Sequence, residues 1–91
     1  NAFDPGLRSA VADTIGQIAR QCDGVRCDMA MLMMSDVFER TWGARAGARP
    51  ADEYWTSLIA KVQARHPKFQ FLAEAYWGLE WALQQQGFNL L

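Results

Sequence analysis

The order of elements readable in the chain is helix, strand, helix, strand, helix, which predicts an α/β fold with parallel strands and helices packed against them. Three observations carry this. Apolar residues recur at helical spacing in two long stretches, a short apolar run comes after each of them, and each run carries a carboxylate toward its C-terminal end, Asp28 and Glu74. The long stretch between the runs leaves ample chain for a right-handed crossover connection, so the two strands are expected to run parallel.

Asp4-Pro5 opens the first helix, with Asp as N-cap and Pro at the first helical position, where its missing N–H costs nothing. Leu7, Val11, Ile15, Ile18 and Cys22 then form one apolar stripe. Asp23-Gly24 stops the helix, with Gly24 available for a positive φ. Val25 to Met31 reads as a strand, placing Arg26 and Asp28 on one face and Val25 and Cys27 on the other. Ser35-Asp36 caps a brief helix through Val37, Phe38 and Trp42. Residues 43–50, rich in Gly and Ala, read as a mobile surface loop.

From Pro50 a second long helix is expected, with Asp52 and Glu53 in its first turn and Trp55, Leu58, Ile59 and Val62 as its buried stripe. His66-Pro67 ends it, and His66 reads as a solvated C-terminal residue complementing the helix dipole. Lys68 to Tyr76 is the second strand. A last helix follows from about Gly78 to Gln86, closed by Gly87. Trp42, Trp55 and Trp81 are expected in packing, as are Met29, Met31, Met33 and Met34.

With 91 residues, 51% hydrophobic and 21% charged, the chain is a single folded unit and intrinsic disorder is excluded. The net charge of −1, with Arg26, Arg40, Arg45 and Arg49 dispersed, gives no electrostatic footprint for nucleic acid. No apolar run approaches the roughly 18 residues that span a bilayer, so no membrane partner is expected. A soluble protein is expected, with the cytoplasm as its default compartment. Cys22 and Cys27 are too few for a disulfide framework and read as two buried small hydrophobes; no metal and no cofactor is expected. The start at Asn1 and the end at Leu90-Leu91, directly after a helix and its turn, lead to the expectation that residues 1–91 are one partial domain of a longer chain.

Carboxylates at matching heights on neighbouring parallel strands, about 4.8 Å apart, would approach the ~5–5.5 Å separation used by retaining glycosidases. At Asp23-Gly24-Val25-Arg26-Cys27-Asp28 the chain resembles the α-amylase superfamily, glycoside hydrolase family 13, whose nucleophile strand runs glycine, hydrophobe, arginine, any residue, aspartate. Phe71-Leu72-Ala73-Glu74-Ala75-Tyr76-Trp77 is similar to that family's general-acid strand. The resemblance implies a partial (β/α)8 TIM-barrel fragment with two parallel strands and three to four helices. It implies an α-glucan or oligosaccharide substrate, Asp28 as nucleophile, Glu74 as acid and base, and Arg26 holding Asp28 ionised. Tyr76 and Trp77 are then candidate sugar-stacking residues.

Two departures limit the carry-over. Met31, Leu32, Met33 and Met34 stand where many members place a lysine and histidine, and the family's Asn-His strand and late His-Asp pair have no counterpart. The isolated chain is therefore expected to be inactive or nearly so. By independent physics, Glu74 among Phe71, Leu72, Ala73 and Ala75 is expected to favour its protonated form. The competing expectation is a non-catalytic interaction or self-assembly module that buries its open sheet edges against another copy.

Overall fold

The computed structural model describes residues 1–91. Asp4 caps helix α1 (Pro5–Ala19) by accepting a 2.8 Å hydrogen bond from the Leu7 amide, with Pro5 in the first turn. The chain continues through strand β1 (Gly24–Cys27), helices α2 (Ser35–Trp42) and α3 (Tyr54–Arg65), strand β2 (Gln70–Ala73) and helix α4 (Glu80–Gln85). Single 3₁₀ turns at Ala30–Met33 and Gly43–Ala46 flank α2. The molecule is thus a small mixed domain of four helices and two parallel strands, and no helix is long and apolar enough to cross a membrane.

Strands β1 and β2 pair in parallel in the register Gly24↔Gln70, Val25↔Phe71, Arg26↔Leu72 and Cys27↔Ala73. A third rung lies beyond β2. Leu90 bridges Leu72 in parallel, the Asn89 amide donates to the Phe71 carbonyl at 2.9 Å, and the Ala73 amide donates to the Leu90 carbonyl at 3.0 Å. One face of the sheet is packed and the other is open: Phe71 and Ala73 are buried, while Arg26 and Gln70 are exposed. On the packed face edge-on aromatic contacts run from Phe69 to Phe71 to Phe88 to Trp55 to Tyr54, with centroids 4.9–6.3 Å apart.

The stripe expected on α3 is the one it buries: Trp55, Leu58, Ile59 and Val62. Met31 and Met34 are core, as expected. The helix itself starts at Tyr54, not Pro50: Glu53 before it has extended backbone (φ −69°, ψ 144°), and its carboxylate accepts from the Ser35 amide at 2.9 Å instead of capping α3. That bond also replaces the Ser35 cap, so Met34 is the N-cap of α2 and Ser35 is buried. The expected stripe on α1 is corrected. Leu7, Ile18 and Cys22 are exposed, and the helix meets the core through Ala12, with Val11, Ile15 and Ala19 at the margin. A small residue at the contact lets α1 lie close to α3, and side-chain size misdirects the reading by hydrophobicity.

Both strands are shorter than expected. Met29 takes a left-handed conformation (φ 48°), which ends β1 before Met31, and the pairing of β2 stops at Ala73. The last helix contracts to Glu80–Gln85 after Trp77 and Gly78, both at positive φ. Trp55 is buried, but Trp42 and Trp81 are 53% and 71% exposed, correcting their assignment to packing. The 43–50 loop is tied down at two points: Ala46 is buried and its carbonyl accepts from the Asn1 side chain at 2.9 Å, and Arg49 pairs with Asp36 at 2.6 Å and lies 3.7 Å from Glu39 and 3.9 Å from Glu53. Gly24 has no positive φ; its role is close approach, because a Cβ there would lie 2.7 Å from the Gln70 carbonyl oxygen.

Candidate functional site

Arg26, Asp28 and Glu74 meet at the C-terminal end of the strand pair. The register that opposes Cys27 to Ala73 puts Asp28 and Glu74 on the next rung, and the Glu74 amide donates to the Cys27 carbonyl at 2.9 Å. Alternation along β1 turns Arg26 and Asp28 toward the open face. There one guanidinium serves both acids: Nη1 pairs with Asp28 Oδ1, and Nη2 lies 3.1 Å from Glu74 Oε2. Asp28 is the wetter of the two, its side chain 72% exposed against 21% for Glu74.

The far oxygen of Glu74 is also occupied. Tyr76 Oη donates to Glu74 Oε1 at 2.9 Å. Residues two apart in extended chain share a face, so Tyr76 lies above the acid it holds. This hydrogen bond, followed by the Arg26 charge and the Met29 backbone amide, outweighs partial burial and holds the Glu74 carboxyl below its ordinary range. The expectation that Glu74 favours its protonated form is therefore corrected. Its apolar sequence neighbours point into the core or lie beside it, while the carboxylate meets a phenol and a guanidinium. The same bond raises the Tyr76 phenol, because losing its proton would leave two anions in contact.

The backbone around the pair is unusual. Met29 (φ 48°) and Trp77 (φ 63°) are the only non-glycine residues at positive φ, and they directly follow Asp28 and Tyr76. Each such conformation costs about 1 kcal/mol for an ordinary L-residue, and such outliers concentrate at functional sites. The 3₁₀ turn behind Met29 is anchored to the second strand, since the Ala30 amide donates to the Glu74 carbonyl at 2.9 Å. The Ala30 carbonyl in turn accepts from Trp55 Nε1 at 2.7 Å, linking the site to α3.

Tyr76 and Trp77 are 51% and 66% exposed. The sequence suggests both as sugar-stacking residues; the role of Tyr76 as the clamp on Glu74 comes from the fold, and the i, i+2 spacing of Glu74 and Tyr76 in an extended segment is its one signal in the residues. Chemically the arrangement is two carboxylates of unequal exposure, one cation between them, and the Tyr76 phenol on the less exposed acid, at the end of an open sheet face. Cys27 lies beneath it, half-buried, its thiol pushed up to about 11 by burial. No protein-family model, curated protein or solved structure matches this chain.

Proposed function

We propose that residues 1–91 carry the nucleophile and acid/base strands of a retaining glycosidase or glucanotransferase acting on α-glucans. The observation that carries the reading is the carboxylate pair just past the C-terminal ends of two adjacent parallel strands, bridged by Arg26. Two further features support it. The sheet is covered on one face only, as a strand pair from a (β/α)8 barrel would be, with its site at the C-terminal strand ends. The isolated parallel bridge from Leu72 to Leu90 continues the ladder in sequential order, which is in keeping with this reading.

In this mechanism Asp28 attacks the anomeric carbon as the glycosidic bond breaks, forming a glycosyl ester. Glu74 protonates the leaving oxygen and then takes a proton from the water or sugar hydroxyl that attacks the ester. Glu74 starts ionised and hydrogen-bonded to Tyr76, so acid function requires the Tyr76 hydroxyl to swing away as substrate enters and Glu74 to take up a proton from solvent before the glycosidic bond breaks. Sugar stacking on Tyr76 and Trp77 supplies the reason for it to move. Turnover of natural glucans by this chain alone is expected to be very low, because the open face leaves substrate poorly positioned.

A single-turnover trap tests the assignment without requiring the acid. 5-Fluoro-α-D-glucopyranosyl fluoride carries its own leaving group, so an adduct needs only a nucleophile and a cradle. The expected result is one slow adduct on the peptide containing Asp28, lost in Asp28→Asn and retained in Glu74→Gln. No adduct, or one that survives Asp28→Asn, overturns the proposal.

One observation favours a second reading, a self-associating module. Strand β1 has β2 as its sole neighbour, and Trp42, Trp77 and Trp81 are all exposed. Sedimentation that gives a monomer across a wide concentration range removes it.

A further inference from the structure

At the opposite end of the sheet, where β1 and β2 begin, lies a feature the carboxylate site does not use. A groove of about 340 Å³ runs between α1 and α3, lined by Gly16, Gln17 and Arg20 from one side and Lys61, Arg65 and His66 from the other. A second groove of about 340 Å³ shares Arg65 and His66 with it and adds Lys68. Together they hold four of the chain's nine Lys and Arg residues, against Asp13 and Asp23 from its ten acids. Charges that sit on three separate elements in sequence are gathered here by the fold.

The four cations are exposed, and three observations single out the groove between them. None of the four cations makes an ion pair; the pairs in the molecule belong to Arg26 and Arg49. Lys61 and Arg65 are like charges at i, i+4 on α3, an arrangement that costs helix stability. Gly16 stands inside α1, where it also costs helix stability, and a Cβ at that position would meet nothing within 4 Å. Its missing side chain keeps the groove open between the cations. Helix-dipole complementation accounts for Arg20 and Arg65 at the ends of α1 and α3. It does not account for Lys61 one turn earlier, for Lys68 beyond the helix, or for Gly16.

We propose that the α1–α3 groove is a binding site for a small polyvalent anion of the phosphate type, held between Arg20, Lys61 and Arg65. A compact dianion relieves the Lys61–Arg65 repulsion, and guanidinium groups offer forked donors that match phosphate oxygens. The site lies at the other end of the strands from Asp28 and Glu74, so it stands independently of the glycosidase reading.

The test is a ¹⁵N-¹H NMR titration of the whole chain with inorganic pyrophosphate at low ionic strength, with sodium chloride at matched ionic strength as the control. Saturable shifts are expected at Gly16, Gln17, Arg65 and His66 and not at Asp28 or Glu74. The Lys61→Gln/Arg65→Gln variant is expected to weaken binding roughly tenfold or more, in keeping with the loss of two charge-assisted contacts. Gly16→Glu, which improves helix propensity while placing a carboxylate in the groove, is expected to abolish it; the distant Arg40→Gln/Arg45→Gln variant is expected to change nothing. Shifts reproduced by chloride, or equal weakening by the distant pair of substitutions, overturn the proposal.

Discussion

Tyr76 Oη donates to Glu74 Oε1 at 2.9 Å, and it is the leading cause of the lowered Glu74 carboxyl. Tyr76→Phe removes the donor while keeping the ring, so the Glu74 carboxyl is expected to rise toward its ordinary value of 4.5. The linkage has a definite sign. A carboxyl lowered on folding contributes stability that is fully present above 4.5 and is lost as pH falls through the lowered folded value. Wild type should therefore lose stability on acidification through that window more steeply than Tyr76→Phe. Carboxyl ¹³C titration of Glu74 reads the first effect and urea unfolding at a series of pH values reads the second. An unmoved Glu74 titration would show that the phenol does not hold the acid.

Gly24 determines how closely the two strands lie. A methyl group there would stand 2.7 Å from the Gln70 carbonyl oxygen and 3.1 Å from its Cβ, backbone and near-backbone atoms with no freedom to retreat. Gly24→Ala is expected to destabilise the fold by about 1–3 kcal/mol, the usual range for overpacking. Because Arg26 spans from β1 to Glu74, the same substitution should weaken the bridge. Thermal unfolding reads the first effect, and a changed Glu74 titration the second. An alanine variant as stable as wild type would mean that the strands separate freely at this end.

Much of this was legible in the residues. Asp4-Pro5 names its helix start because an N-cap and an N1 proline are local chemistry, and α3 declares its buried face because four large apolar residues agree on it. Arg26, Asp28 and Glu74 follow from strand alternation once the strands are paired in parallel. What the residues leave open is decided by tertiary contact. Met29 could continue a strand on propensity alone, and it turns left-handed where the chain crosses over Glu74. Leu7 and Ile18 look like core until Ala12 proves to be the contact. The Glu74 carboxyl reads as apolar-flanked in sequence, and only the fold shows that its oxygens meet Tyr76 and Arg26. The cations Arg20, Lys61 and Arg65 look dispersed because distance along the chain says nothing of the α1–α3 groove.

Trp55 ties the carboxylate site to the core. Its indole Nε1 donates to the Ala30 carbonyl at 2.7 Å, and the Ala30 amide donates to the Glu74 carbonyl at 2.9 Å, so α3 fixes the turn that carries Met29. Trp55→Phe keeps an aromatic against Tyr54 and Phe88 but deletes the buried donor and leaves space behind it. The expected cost is about 2 kcal/mol, combining a lost buried hydrogen bond with a small cavity. Faster exchange of the Ala30 amide should accompany it, because the turn loses one of its two anchors. Equal protection of that amide in both proteins would place the anchoring elsewhere.

Cys27 and Cys22 separate two environments along a single turn of chain. Cys22 is exposed, whereas Cys27 is half-buried beneath the carboxylate pair, with its thiol pushed up to about 11 by desolvation. Only the thiolate reacts with iodoacetamide, so at pH 8 Cys22 is expected to be modified first and Cys27 at least roughly tenfold more slowly. In strong denaturant the two rates should converge. The same shift makes a pH prediction of opposite sign to that of Glu74. Folding favours the protonated thiol, so its contribution is present below 9.0 and is lost as pH rises from 9.0 toward 11. Cys27→Ser, which does not titrate there, is expected to flatten that decline in stability. Alkylation of Cys27 as fast as Cys22 in native buffer would mean that the end of β1 opens to solvent, and with it the floor beneath Asp28.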